Sequence, residues 1–151
     1  MVVGVISDTH GILRSEAIAA LAGVDHILHS GDVGDAGILD ALRAIAPVTA
    51  IRGNIDIHGS CAKLPATDFV ELAGIVFYLV HSVEWLDINP VVAGVAVVVS
   101  GHSHRPKIQT RNEVLYLNSG SAGPRRFRLP VTVAVVEVGT ESIIARIVDL
   151  L

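Results

Sequence analysis

Five short runs of valine, isoleucine and leucine frame this chain, because each of them stops on an aspartate, an asparagine or a histidine. Val2–Ile6 runs into Ser7-Asp8-Thr9-His10, Val24–His29 into Ser30-Gly31-Asp32, and Val48–Ile51 into Arg52-Gly53-Asn54. Ile75–Val80 ends on His81, and Val95–Val99 on Ser100-Gly101-His102-Ser103-His104. Runs this short and this rich in β-branched residues read as strands rather than helices. They are apolar without alternation, as strands buried on both faces are. The mean hydropathy of +0.59 agrees. No run approaches the roughly 20 apolar residues a spanning helix needs.

Between the first three runs lie helical patterns. Asp35 is placed to cap a helix carrying Ile38, Leu39, Leu42 and Ile45, with Pro47 as its stop. Ser15 is read as the cap of a second segment carrying Ile18 and Leu21, which Gly23 ends. Strand, helix, strand, helix, strand is the pattern of parallel βαβ units. After His104 the texture changes. Ile108–Arg111 with Val114–Asn118, and Val131–Val138 with Ser142–Val148, read as two hairpins. The expectation is an α/β fold with a second, largely antiparallel sheet packed on the first. At 151 residues, without repeats or a linker, the chain is expected to form one domain spanning 1–151.

Ligands in open α/β sheets gather at the carboxyl ends of strands, and here five strand ends carry Asp8, His10, Asp32, Asn54, His81, His102 and His104. Asp8 precedes Asp32 by 24 residues and Asp32 precedes Asn54 by 22, each about one strand–helix–strand repeat. Asp8 and His10 flank Thr9 as His102 and His104 flank Ser103, so an extended backbone would turn each pair to one side. Gly31, Gly53 and Gly101 each precede a proposed ligand. Seven nitrogen and oxygen ligands exceed what one tetrahedral zinc takes. They suit two ions about 3.5–4 Å apart, with Asp32 bridging through its two oxygens. Imidazole with carboxylate suits Mn, Fe, Zn, Co or Ni, with availability choosing among them, and Mn²⁺ is the expected occupant. Two such ions lower the pKa of a shared water and clamp a phosphoryl oxygen, which is the chemistry of phosphate ester hydrolysis.

Several classes are set aside. Cys61 is the only cysteine, which leaves neither a disulfide nor a thiolate metal site. A net charge of −4 argues against stable nucleic-acid binding. No membrane segment is expected, and without a basic leader before Val2 a cytoplasmic location is expected.

The order Asp-x-His, Gly-Asp, Gly-Asn, His, Gly-His-x-His resembles the calcineurin-like metallophosphoesterase superfamily, and most of all its small YfcE-type phosphodiesterases, which also resemble the retromer subunit of this fold. The similarity runs from Asp8 to Asn118-Ser119-Gly120-Ser121 and Pro124-Arg125. It implies a four-layer α/β/β/α sandwich of two mixed β-sheets flanked by helices. It also implies one metal on Asp8, His10, Asp32 and His104 and another on Asp32, Asn54, His81 and His102. Asp32, Asn54 and His81 are the expected catalytic residues, and Arg125 is expected on the substrate side. Three positions depart from the family pattern. Ile55 stands where many members have a proton-donating histidine and YfcE-type proteins often have cysteine. Ser82 replaces the usual glycine after His81, and Ser119 the usual proline after Asn118.

The implied function is a phosphodiesterase that hydrolyses a small or nucleotide-like phosphate ester with a two-metal-activated hydroxide. A catalytically weak interaction scaffold of the same fold and a phosphomonoesterase stay open as alternatives, as does a homo-oligomer. His29 is read as a supporting histidine, Asp56 as an orienting carboxylate or a turn residue, and His58 as a surface histidine or substitute acid. Trp85 is read as pocket wall or core. Arg105, Lys107, Gln109 and Arg111 are read as one solvated strand face.

Overall fold

The computed structural model describes residues 1–151 and contains two five-stranded sheets packed face to face. Ten strands run in chain order: β1 (Val2–Ile6), β2 (His26–His29), β3 (Val48–Ala50), β4 (Thr67–Leu72), β5 (Ile75–Val80), β6 (Val95–Ser100), β7 (Lys107–Arg111), β8 (Val114–Asn118), β9 (Thr132–Val138) and β10 (Ile143–Asp149). The first sheet has the order β10-β9-β1-β2-β3 and the second β4-β5-β6-β8-β7. Within the first, β1, β2 and β3 are parallel, while β9 and β10 run antiparallel along its other edge.

Two expectations are corrected here. The C-terminal hairpin β9–β10 completes the first sheet and not the second, because β9 is apolar enough to be buried against β1, with Val135 opposite Gly4. The second sheet is also mixed rather than largely antiparallel. β5, β6 and β8 pair in parallel, and the antiparallel strands β4 and β7 close its two edges. Strand β4 escaped the sequence reading because Thr67, Asp68 and Glu71 interrupt its apolar residues.

The alternation of side chains sorts the core into layers. Val3 and Val5 of β1, Leu28, Phe77, Leu79, Val97, Val99 and Val136 fill the space between the sheets. Ile6, Ile27 and Val133 point the other way, onto two helices, α1 (Ser15–Ala20) and α2 (Ala36–Arg43), through Ala17, Leu21, Leu39 and Leu42. Asp35 caps α2 as expected, accepting from the Gly37 N–H at 2.9 Å. Ser15, by contrast, is the first residue of α1 and not its cap. Its hydroxyl turns to Glu16, and the cap position falls to Arg14, whose guanidinium is held by the Gly123 carbonyl. The outer face of the second sheet, with Tyr78, Val80, Val98 and Val114, is covered by Leu86 and Ile88 following the 3₁₀ turn Val83–Trp85. No helix is long and apolar enough to cross a membrane.

Candidate metal centre

The strand ends of both sheets meet at one edge of the sandwich. Asp8 and Asp32 come from the first sheet and His81, His102 and His104 from the second. Asp8 Oδ1 lies 3.4 Å from His104 Nε2 and 3.8 Å from both His10 Nε2 and His81 Nε2. Asp32 Oδ2 lies 3.4 Å from His10 Nε2 and 3.3 Å from His81 Nε2. In each of two sets, Asp8–His10–His104 and Asp8–Asp32–His81, the ligand atoms lie within 4.8 Å of one another.

The backbone does this differently from the extended path expected for Asp-x-His and His-x-His. Asp8, His10, Asp32, His102 and His104 all adopt the left-handed region, with φ between 48° and 70°. Non-glycine residues seldom sit there, and where they do the surrounding structure holds them. Here the holding bonds are visible. The Asp8 N–H donates to Gly31 O, His10 N–H to Asp32 O and Gly11 N–H to Val33 O, so the parallel pairing of β1 with β2 continues beyond both strands. Across the sheets, the His102 N–H donates to Asp8 Oδ2 at 3.0 Å, and within the second sheet the Gly101 N–H donates to His81 O at 2.9 Å. A Cβ on Gly53 would overlap the Asp32 carboxylate, and one on Gly101 would overlap Ser7 and Asp8. Close approach of the loops is the reason for glycine at both places.

The hydrogen bonds leave one face of each group free. Asp8 Oδ2 accepts from Ser7 Oγ and His102 N, which leaves Oδ1 for the centre. Asp32 Oδ1 accepts from the Ile55 N–H, which leaves Oδ2. His81 Nδ1 faces the Ser30 carbonyl at 2.8 Å, and since a carbonyl only accepts, Nδ1 carries the proton. The Nε2 lone pair therefore points at two carboxylate oxygens. Asp8 Oδ1, His10 Nε2 and His81 Nε2 are all buried without a hydrogen-bond partner. Electron-rich atoms crowded this way need a cation among them. The electrostatics of the same groups are strongly coupled. Burial pushes the Asp8 carboxyl up, yet His10, His104 and Ser7 outweigh it and hold the group well below the usual carboxylate range. Burial disfavours protonation of His81, but Asp32 and Asp8 outweigh that and draw its pKa upward. The donor set fits divalent metal.

Residues 1–141 match the model of the calcineurin-like phosphoesterase superfamily domain. The chain belongs to that superfamily. It is 36% identical over 134 residues to a probable metallophosphoesterase of Methanocaldococcus jannaschii, a match covering 80% of this chain and 68% of the relative. Two solved structures share the fold. One is a novel archaeal phosphodiesterase, with TM-score 0.75 and 21% identity over 98% of this chain and 100% of the other. The second is wild-type Vps29 of Entamoeba histolytica complexed with zinc, with TM-score 0.75 and 21% identity over 99% of each chain.

The other residues of this calcineurin-like chain fall into place around the centre. Asn54 and His102 are exposed at its mouth, joined by Asn54 Oδ1 and His102 Nδ1 at 3.2 Å. Trp85 is 51% exposed and lies beside the His102 and His81 rings, with centroids 5.0 and 5.9 Å away, so it walls the site and is no core residue. Arg125 is exposed on the loop that packs against the Asp8–Thr9 backbone through Ser121 Oγ and Gly123. His58 sits apart, in a concavity beside Asp35 and Cys61.

Sequence reasoning undervalued two groups. Asp56 is buried and accepts three backbone N–H bonds, from Val33 (3.1 Å), Gly34 (3.0 Å) and Gly53 (2.8 Å), thereby tying the Asp32 loop to the Asn54 loop. It orients backbone and no histidine. The Asx pattern after Gly-Asn was the available signal. His29 is fully buried. It accepts from the Gly31 N–H through Nδ1, so its Nε2 donates to Thr9 Oγ1, which passes its own proton to Val33 O at 2.8 Å. Burial depresses its pKa to about 4, and it stands as a neutral imidazole of fixed tautomer.

Proposed function

We propose that this chain is a dinuclear, metal-dependent phosphodiesterase acting on small or nucleotide-like phosphate esters. The observation that carries the reading is the convergence of Asp8 Oδ1, Asp32 Oδ2 and the free nitrogens of His10, His81 and His104 from two sheets onto one buried point. Asp8, His10, Asp32 and His104 would hold one ion, and Asp32, Asn54, His81 and His102 the other. Bound there, divalent ions supply Lewis acidity to a phosphoryl oxygen and lower the pKa of water. Mn²⁺ is the proposed occupant.

The chain's own groups do the rest. Asp32 Oδ2, between His10 and His81, couples the two halves of the site. Ser30 O fixes the His81 tautomer, and Asp56 holds the two loops that carry Asp32 and Asn54 at a constant separation. His102 and Asn54, at the open mouth, are placed to meet the ester oxygens, and the Trp85 ring shields one side from water. Arg125 is proposed as a further phosphate contact, since guanidinium matches phosphate oxygens in charge and geometry. A diester carries one negative charge and suits a centre with few free cations nearby, which favours it over a dianionic monoester. The archaeal phosphodiesterase of the same fold is in keeping with this choice.

A second reading is an interaction scaffold with weak catalysis. Exposed Trp85 and Ile55 at the mouth favour it, as does the shared fold with Vps29. One experiment separates them: reconstitution with Mn²⁺ and assay of diesters and monoesters beside Asp32→Ala. Diester turnover that disappears in Asp32→Ala supports the phosphodiesterase. Monoester turnover equal to or above diester turnover rejects it, and metal binding without turnover favours the scaffold.

A further inference from the structure

Strand β7 carries Lys107, Gln109 and Arg111 at alternate positions, and the register sets Lys107 opposite Asn118 and Gln109 opposite Tyr116. These residues do not form a flat solvated face. With Ser103 and Arg105 they line a cavity of about 230 Å³ on the outer side of the second sheet. We propose that this cavity is a binding site for a phosphate-type anion carried by a small molecule. It lies beside the metal centre and apart from it, and does not depend on the phosphodiesterase reading.

Charge is the first argument. The chain carries 15 acidic and 11 basic residues, yet three cations face this cavity and no acidic residue lines it. None of the three is neutralised by a carboxylate, for the one lysine or arginine ion pair in the chain is Arg43–Asp40. Unpaired like charges around a concavity focus a field that draws in an anion. Donor geometry is the second. Ser103 Oγ accepts from Asn118 Nδ2 at 3.1 Å and from the Arg105 N–H at 3.2 Å, so its own hydroxyl proton is free to donate. The Arg111 guanidinium lies 4.4 Å over the Tyr116 ring, which orders it and leaves its edge N–H groups free. Gln109 Oε1 is buried and unpartnered, an acceptor suited to a ligand hydroxyl. Size is the third. At roughly 30 Å³ per water the cavity has room for about seven or eight, enough for a mono- or diphosphate group and too little for a nucleic-acid duplex.

The test is titration of metal-free protein with inorganic pyrophosphate, followed by calorimetry and backbone amide shifts. Saturable binding with shifts centred on Ser103–Arg111 and Tyr116 is expected. Lys107→Ala and Arg111→Ala should each weaken it by about tenfold, the scale of a charge-assisted hydrogen bond, while Arg43→Ala on α2, which packs on the outer face of the other sheet, leaves it unchanged. No saturation, shifts elsewhere, or an equal loss in Arg43→Ala would overturn the proposal. A second arm names the source of the anion once binding is established. With Mn²⁺ restored, Lys107→Ala should leave the KM of bis(4-nitrophenyl) phosphate unchanged. A raised KM for a diester bearing an additional terminal phosphate assigns the anion to the substrate, and an unchanged one assigns it to a separate molecule.

Discussion

Asp32 Oδ2 stands between two histidines of different sheets, 3.3 Å from His81 Nε2 on one side and 3.4 Å from His10 Nε2 on the other. Its other oxygen is already engaged by the Ile55 N–H. Asp32→Ala should therefore release both metals, whereas His104→Ala, whose Nε2 meets the Asp8 carboxylate and not that of Asp32, should weaken mainly one. Metal content and calorimetric stoichiometry of the reconstituted variants read this directly. A wild type that holds at most one weak ion sinks the dinuclear assignment.

Asp56 makes a separable prediction. Replacing it with alanine leaves the N–H groups of Val33, Gly34 and Gly53 without their acceptor in a buried place. At about 1–3 kcal/mol for each buried unsatisfied group, before relaxation, a loss of several kcal/mol of stability is expected. Asp56→Asn keeps one acceptor oxygen and should cost less. Denaturant melts give the order of stability, and metal affinity should fall in the same order because the two ligand loops drift apart.

His29 gives the metal-free protein a pH signature. Burial lowers its folded pKa from 6.5 to about 4. The unfolded chain thus binds more protons between those values, and stability rises with pH across the window. The contribution is complete above about pH 6.5 and is lost as pH falls towards 4, on the order of 3 kcal/mol for a shift of this size. Comparing Tm against pH for wild type and His29→Asn isolates this slope from that of the carboxylates. Parallel curves for the two proteins would falsify the assignment.

Ile55 stands where the family resemblance implies a proton-donating histidine in many members, and its side chain is 38% exposed at the mouth. Ile55 itself offers no proton to a departing alkoxide, so the wild type should hydrolyse nitrophenyl esters far better than alkyl esters. Ile55→His should raise the alkyl rate selectively, below the usual general-acid range of about 10²–10⁴-fold. The gain is limited because the Asp56 carboxylate, the nearest candidate to orient a new imidazole, is already filled by three backbone N–H groups. Leaving-group dependence for wild type, Ile55→His and His58→Ala at fixed metal occupancy checks it. A shallow wild-type dependence that steepens in His58→Ala would make His58 the acid instead.

What was legible in the sequence was whatever had a period or a punctuation mark. The five strand-end motifs gave β1, β2, β3, β5 and β6, and Asp35 gave the start of α2. Sheet membership was not legible, since nothing local in Val131–Val138 says whether β1 or the second sheet will be its neighbour. The left-handed turns at Asp8, His10, Asp32, His102 and His104 were hidden too, because their cost is met by bonds between loops distant in sequence. The alternation of Lys107, Gln109 and Arg111 was visible, but its concavity depends on Val83 and Tyr116 from other segments.

The centre draws Asp8 and Asp32 from one sheet and His81 and His104 from the other, while the core between those sheets is apolar, through residues such as Leu28, Phe77 and Val97, with polar links such as His102 N–H to Asp8 Oδ2 at its rim. Apolar packing resists separation but discriminates poorly against small sliding movements. A metal ion does discriminate, since it binds only when the two sheets are in one alignment. The ions would then act as a clasp on the sandwich, and by linkage each tenfold excess of free metal over its dissociation constant adds roughly 1.4 kcal/mol of stability. Cavity-making changes deep between the sheets, far from any ligand, would in that case be felt first as a loosened grip on metal.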